Sequence, residues 1–400
     1  MEINIRRIGI GVGFLVFLFL MCAEMLTGSV LLGKLYKHID EIAVLICILY
    51  IALNFHMIIA QKFKLVYLWF VFLLIGAIST LIFDYQSLVY ALIDAIVISS
   101  KFIFGYCAVY IYAQKTTKNI SNSFEMLARL IALIFFVLNV HDMIFTPIFE
   151  KSDFRYFTES IKLMFPHTTY LTAASVSLLV FLGYKNTGYK NLMYMFMITF
   201  VGCMTLRSKA IGFFAVYWAL YILFVVLKNR NYILMLIGGG AGAVVLVWDS
   251  IARNFFSALY SPRDILMRDG IQMAIEHFPF GTGFGTFGSS VAAENYSPLY
   301  VELGYEDYYG MSSTDTQFLT DGFWPTIIAQ YGFIGAIVFV LVILLFLFWS
   351  INKMKKEVNA GFAMLMILVY CLVASLAETS FFNPTSLLMF MLFAIFETEK

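Results

Sequence analysis

The chain has 400 residues, of which 62% are hydrophobic and 13% charged. A soluble domain is roughly 45–50% apolar and about 25% charged, so this composition excludes an ordinary soluble globular protein. The formal net charge of +1 supplies no global field for nucleic acid, which is excluded as a partner.

Runs such as "IGIGVGFLVFLFLMCAEML" and "GAIVFVLVILLFLFW" are nearly uncharged over about 18 or more residues, the length that crosses a bilayer. Strands of a membrane barrel would alternate in polarity, and these runs do not. The expected fold is an all-α polytopic membrane protein. In chain order, spans are expected near 8–32, 41–60, 65–83, 88–112, 126–146, 164–184, 192–206, 210–227 and 232–248. Three more follow near 324–350, 359–377 and 385–397, about twelve in all, the last short enough to be half of a re-entrant pair. The chain thus divides into helices over 1–248, one long connection over 249–323, and further helices over 324–400. Arg6 and Arg7 precede the first apolar run without an A-x-A site, which reads as an uncleaved first span. Cys22, Cys47, Cys107, Cys203 and Cys371 all fall inside apolar runs, and no C-x-x-C pair occurs, so they read as packing residues.

Positive charge orients the spans. With the N-terminus inside, every inner segment carries at least two cations, among them Lys62, Lys64, Lys115, Lys118, Lys185, Lys190, Lys228, Arg230, Lys353, Lys355 and Lys356. Both termini are therefore expected in the cytoplasm, and the long connection outside. Asp94, Lys101 and Glu378 lie within or near apolar runs, where a charge costs several kcal/mol unless paired or lining a cavity. Asp94 and Lys101, seven residues apart, are expected to face one polar groove. His56, alone on an apolar helix, reads as a buried and satisfied histidine.

The long connection holds "SPRDILMRDGIQMAIEHFP", with Ser261 as N-cap, Pro262 at the first helical position and Asp264 completing an approximate capping box. Met267, Ile271, Ala274 and Phe278 recur at helical spacing as its expected buried face. Arg263 sits in the first turn, where the helix dipole disfavours a cation. That placement suits a bound anion, or an arginine pointing to water; Arg268 and Arg253 are weaker candidates by the same geometry. Next comes "PFGTGFGTFGSS", whose Gly283, Gly285 and Gly288 spell G-x-G-x-x-G. A dinucleotide site needs a strand before the glycines and a helix after them. Here a helix precedes and a Tyr-rich segment follows, so the glycines read as a turn in which backbones pass closely.

An arginine, an amphipathic helix and then "HFPFGTGFGTFG" resemble the O-antigen polymerase and O-antigen ligase superfamily. "TLRSKA", with Arg207 at the end of a span, and "DGFWPTIIAQYGFIG", ending in Gly332-x-x-Gly335, resemble two further motifs of that family in the same order and spacing. The likeness covers roughly residues 195–345. It implies glycosyl transfer from an undecaprenyl-diphosphate-linked oligosaccharide on the outer face of the bacterial cytoplasmic membrane, with inversion at the anomeric carbon and no metal or cofactor. Membrane lipid and a chain-length regulator protein are the other partners it admits. Arg207 and Arg263 correspond to the family's diphosphate-contacting arginines; for Arg207 the competing role is an interfacial anchor. Where ligases carry a histidine, nine residues and a small polar one before the Gly-x-x-Gly, this chain has Asp321. A carboxylate within reach of a sugar hydroxyl serves as general base. Asp321 is therefore the candidate base, Asp315 the reserve, and an N-cap near Phe323 the competing role for Asp321.

The absent histidine favours a polymerase over a ligase. Gly283, Gly285, Arg268, Asp315, Tyr308 and Tyr309 are the remaining candidate substrate contacts. Tyr296, Tyr300, Tyr305, Phe318, Phe323 and Trp324 crowd the same region. Such rings suit either the C–H faces of sugars or a membrane interface. Arg155 and Lys162 are weaker candidates for an anionic headgroup. A flippase-type transporter of lipid-linked sugars is the competing class, and would show its polar groups at midplane.

Overall fold

The computed structural model describes residues 39–115, 120–156, 158–186, 189–228 and 261–399, which are mostly helical. The spans expected near 8–32 and 232–248 lie outside the described residues, as do Arg230, Arg253 and residues 249–260 of the long connection. The first helices are α1 (Ile39–Ala52), α2 (Phe55–Phe83), α3 (Leu88–Ile98), α4 (Lys101–Lys115) and α5 (Ile120–Ile144). A two-stranded ribbon, Phe154–Arg155 with Thr158–Glu159, leads to α6 (Thr168–Tyr184), α7 (Leu192–Cys203) and α8 (Ser208–Val226). After the undescribed stretch come α9 (Pro262–Glu276) and the short α10 (Ser290–Glu294) and α11 (Pro298–Glu302). Then α12 (Phe323–Lys356), α13 (Val358–Ala374) and α14 (Pro384–Thr398) complete the order.

Among the described residues, four helices are long and apolar enough to cross a bilayer: α2, α5, α8 and α12. The pair α3–α4, bent by 47°, makes a fifth if it is one span. Other expected spans correspond to shorter apolar helices, α6, α7, α13 and α14. The difference has a local cause. Hydropathy follows unbroken apolar sequence, whereas helices break where the backbone finds other partners. At the α3–α4 bend, the Ser99 hydroxyl accepts from Tyr331 (2.8 Å). Its neighbour Ser100 accepts from the Trp69 indole (3.0 Å) and donates to the Ala95 carbonyl. In α2 the backbone is non-helical at Lys62, between the two spans expected there. His56 is exposed, not buried, and lies just after the turn at Leu53 and Asn54.

The bundle packs around aromatic rings. α14 lies along α4, α6 against α7 and α13, and α12 against α2, α9 and α13. Phe72 stacks on Tyr331 at 4.0 Å, Trp69 meets Phe102 edge-on at 5.2 Å, and Phe323, Phe339 and Phe381 meet one another in a triad. Residues 261–322 fold over one end of this bundle around a core of their own, which includes Leu266, Phe287, Tyr300, Tyr305 and Met311.

The glycine-rich stretch joins the two layers. α12 is broken at Gly332, whose φ of 64° and ψ of −174° only glycine adopts readily. A helix break leaves upstream carbonyls without their helical donors. Here the N–H groups of Thr282 and Gly283 donate to the carbonyls of Ala329 (2.8 Å) and Gln330 (2.9 Å). The Gly285 N–H donates to Asp94 (3.0 Å), the Phe284 N–H to Thr80 (2.9 Å) and the Gly288 N–H to the Tyr300 hydroxyl (2.7 Å). A Cβ on Gly283 would stand 2.6 Å from Thr80 Oγ1. Gly283 and Gly285 therefore form a buried structural joint and are not placed to bind substrate. Asp94 is committed to this joint and Lys101 pairs with Asp40 (2.8 Å), so the two do not share an open groove.

Ser261 is the N-cap of α9 with Pro262 at its start, as expected, though the Ser261 side chain makes no cap bond. The expected buried face is corrected: it is Ile265, Leu266, Gly270, Met273 and Ala274. Gly270 packs against the Pro325 backbone and fixes that face toward α12. Of the expected face only Ala274 is buried; Ile271 and Phe278 are exposed.

Candidate functional site

A concavity of about 770 Å³ opens where several helices begin or end. The start of α6 contributes His167 and Thr169. The turn into α8 contributes Arg207 and Lys209, the ribbon Asp153 and Arg155, α9 Arg263, the entry to α12 Asp321, and the exit of α13 Glu378. Arg207 and Arg263, 56 positions apart, thus line one cavity together with Asp321.

Each cation is held differently. Arg263 donates from Nη2 to Asp321 Oδ2 (2.8 Å) and from Nε to the Asp321 carbonyl (3.3 Å). Its place in the first turn of α9 is thereby explained by a carboxylate across the cavity. Lys209 is paired with Glu378. Arg207 has weaker compensation. Its Nε donates to Thr168 Oγ1 (2.6 Å) and its Nη2 to His167 Nε2 (2.9 Å), both neutral acceptors. Its nearest carboxylate is Asp153 at 4.0 Å, which is largely exposed and also pairs with Arg155 at 3.3 Å. Exposed pairs of that kind contribute little. Four cations face three carboxylates, and the uncompensated charge lies on the Arg207 side. This is a preorganised guanidinium with charge left over for an anion.

Electrostatics at the remaining groups follow from these contacts. Partial enclosure, together with the Arg207 charge, pushes the His167 pKa down. Burial pushes the Asp321 carboxyl up, and the adjacent Arg263 opposes that shift. Asp321 is not the N-cap of α12: Gly322 holds that position in extended conformation, and Asp321 turns to Arg263 instead.

A second concavity of about 540 Å³ adjoins the first and shares Arg263, Phe318 and Asp321 with it. Its other walls include Tyr308, Tyr309, Met311 and Ile265. Arg268 lines neither cavity; it is mostly exposed and pairs with its neighbour Asp269 (3.0 Å). Asp315 lines neither, and its carboxylate accepts from Gln317 (3.2 Å). Tyr300 and Tyr305 are fully buried in the core of the covering layer. Lys162 pairs with Glu150 (3.4 Å). Among the described residues, no three His, Cys, Asp or Glu side chains gather as a metal site.

Sequence reasoning passed over Lys209, His167 and Asp153. Lys209 carries the signal used for Arg263, a cation in the first turn of a helix. His167 stands as the N-cap of α6, with its Nδ1 2.8 Å from the Thr169 hydroxyl, and a histidine in that position has no periodic signature. No family model matches the chain, and no curated protein matches it.

Proposed function

We propose that the chain is a membrane polymerase that joins undecaprenyl-diphosphate-linked oligosaccharide repeats into an O-antigen, capsule or exopolysaccharide. In this reading the cavity faces outward from the cytoplasmic membrane and both termini lie inside. The observation that carries it is the convergence of Arg207, Arg263 and Asp321 in one cavity. A diphosphate leaving group develops negative charge as the anomeric C–O bond breaks. Fixed cations aimed at that charge stabilise the transition state without reorganising. Arg207 has the free capacity, and Arg263 is oriented beside it by Asp321. The Asp321 carboxylate accepts the proton of the attacking hydroxyl, and its raised pKa makes it a better base than an exposed aspartate. A single displacement of this kind inverts the anomeric centre.

Polar groups gathered at helix ends favour an enzyme over a flippase, whose polar groups would lie in broken helices at midplane. The test is elongation by purified protein in nanodiscs, with undecaprenyl-diphosphate-linked repeats and a chelator. Wild type is expected to give a ladder of products, and Arg263→Ala and Asp321→Asn to abolish it. Transfer of a single glycan to a lipid or protein acceptor would mark a ligase. Movement of the lipid-linked sugar across the bilayer without a ladder would overturn the enzyme reading.

A further inference from the structure

Polymerisation needs two sugar substrates at once, and the structure has two adjoining cavities that differ in chemistry. The first carries four cations and three carboxylates. The second contains only Arg263 and Asp321 as charged groups, and these neutralise each other across 2.8 Å. Apart from Ser261, its remaining surface is aromatic and apolar. Tyr309 and Phe318 meet edge-on with ring centroids 6.0 Å apart. The Tyr309 side chain is 80% exposed, which leaves a ring face open at the mouth. Burying so little of an aromatic side chain forgoes most of the gain from taking it out of water. A flat ring beside polar edges suits a ligand that carries C–H faces and hydroxyls together. The volume falls within the roughly 300–1,000 Å³ range of small-ligand sites.

We propose that this second cavity is the acceptor subsite, and that it holds the uncharged end of the acceptor glycan against Tyr309 and Phe318. The proposal rests on the glycosyl-transfer reading for its chemistry, and its binding test does not. The two cavities meet at Asp321, so an acceptor hydroxyl entering from the aromatic side reaches the carboxylate on the way to the donor. The hydroxyl oxygen forms the new bond to the anomeric carbon while the bond to the diphosphate oxygen breaks. The proton passes to Asp321, and the departing electron pair stays on the diphosphate beside Arg207 and Arg263. The same arrangement separates the substrates by charge: the diphosphate is drawn to the cationic cavity and finds no uncompensated cation in the other.

The test measures binding of free oligosaccharides by saturation-transfer NMR, with protein in nanodiscs and no lipid-linked donor. The probes are neutral trisaccharides, maltotriose and chitotriose, and an acidic one, trigalacturonic acid. Neutral probes are expected to bind in preference. Tyr309→Ala is expected to weaken them about tenfold, the loss typical of an interfacial aromatic anchor, with recovery in Tyr309→Phe. Tyr309 is exposed, so its loss leaves the core intact, and thermal unfolding checks this. Binding of none of the probes, preference for the acidic one, or indifference to Tyr309→Ala would overturn the subsite. Failure of the elongation assay while Tyr309-dependent binding persists would instead count against the polymerase reading alone.

Discussion

His167 gives Arg207 a condition for its placement. Nε2 accepts a hydrogen bond from the guanidinium, so the ring has to be neutral with its own proton on Nδ1, facing Thr169 Oγ1 at 2.8 Å. Charged groups around it are Arg207 and Lys209, which disfavour protonation, and Glu378 and Asp153, which favour it. The net shift is downward from the usual histidine value, so the ring is neutral at pH 7. As pH falls through the lowered value, the ring charges, ceases to accept and repels Arg207. Affinity for a diphosphate analogue is therefore expected to fall on the acid side. Titration of binding against pH checks this, and His167→Gln should remove that dependence. Arg207→Lys tests the guanidinium itself: a point charge cannot hold Thr168, His167 and phosphate together. A loss of roughly 10²-fold or more in elongation rate is expected, the scale seen when one preorganised donor to developing charge is removed.

At the scale of elements, the break in α12 and the glycine turn are one structure. The donors of Thr282 and Gly283 serve carbonyls that the break at Gly332 releases. Gly332→Ala would force a side chain into a glycine-only backbone region and against the backbone of residues 279–281. A cost of about 1–3 kcal/mol is expected. Gly304 has a similar positive φ of 71° but open space around it, and Gly304→Ala should cost about 1–2 kcal/mol at most. Thermal unfolding of the two variants compares them; an equal loss would mean that packing at the joint adds nothing. The motif spacing made these glycines visible in the sequence, and the close passage of backbones expected of them is what the fold shows. What they hold is a helix break 49 residues later, Gly283 to Gly332, and only the fold brings the two together. The α9 face misled for a related reason. Two apolar stripes run along that helix, and the docking of Gly270 on Pro325 decides which one is buried.

Over the whole molecule, polar groups separate into two ends. One carries the cavities. The other collects Lys62, Lys115, Lys185 and Lys353, cations read from the sequence as inner-loop charges. Lys62 pairs with Glu397, which also accepts from Tyr106 (2.6 Å). Glu399 accepts from the Ser121 N–H (2.7 Å) and from Tyr184 (3.0 Å), and Lys353 donates to its carbonyl (2.6 Å). The end of α14 thus ties α2, α4, α5, α6 and α12 together. Lys62 is also enclosed by the rings of Trp349 and Tyr110, so it has little access to water. Glu397→Gln leaves that cation without its counter-charge and is expected to destabilise by about 3–5 kcal/mol, read as thermal unfolding. Donor binding in the molecules that remain folded should persist, because the cavity lies at the opposite end.

The sequence by itself determined the helical, membrane-type composition, because hydropathy is a local property that needs no knowledge of neighbours. It also marked Arg207, Arg263 and Asp321, through their positions at helix boundaries and the likeness of their motifs. Tertiary structure decided that these three share one cavity and that Asp321 meets Arg263 rather than capping α12. It also left Asp315 and Arg268 outside, and brought in His167 and Lys209. The physical reason is that a charge-lined cavity is assembled from the ends of several helices. Which ends meet depends on how α6, α8, α9, α12 and α13 pack, and no stretch of sequence shorter than the whole bundle carries that information.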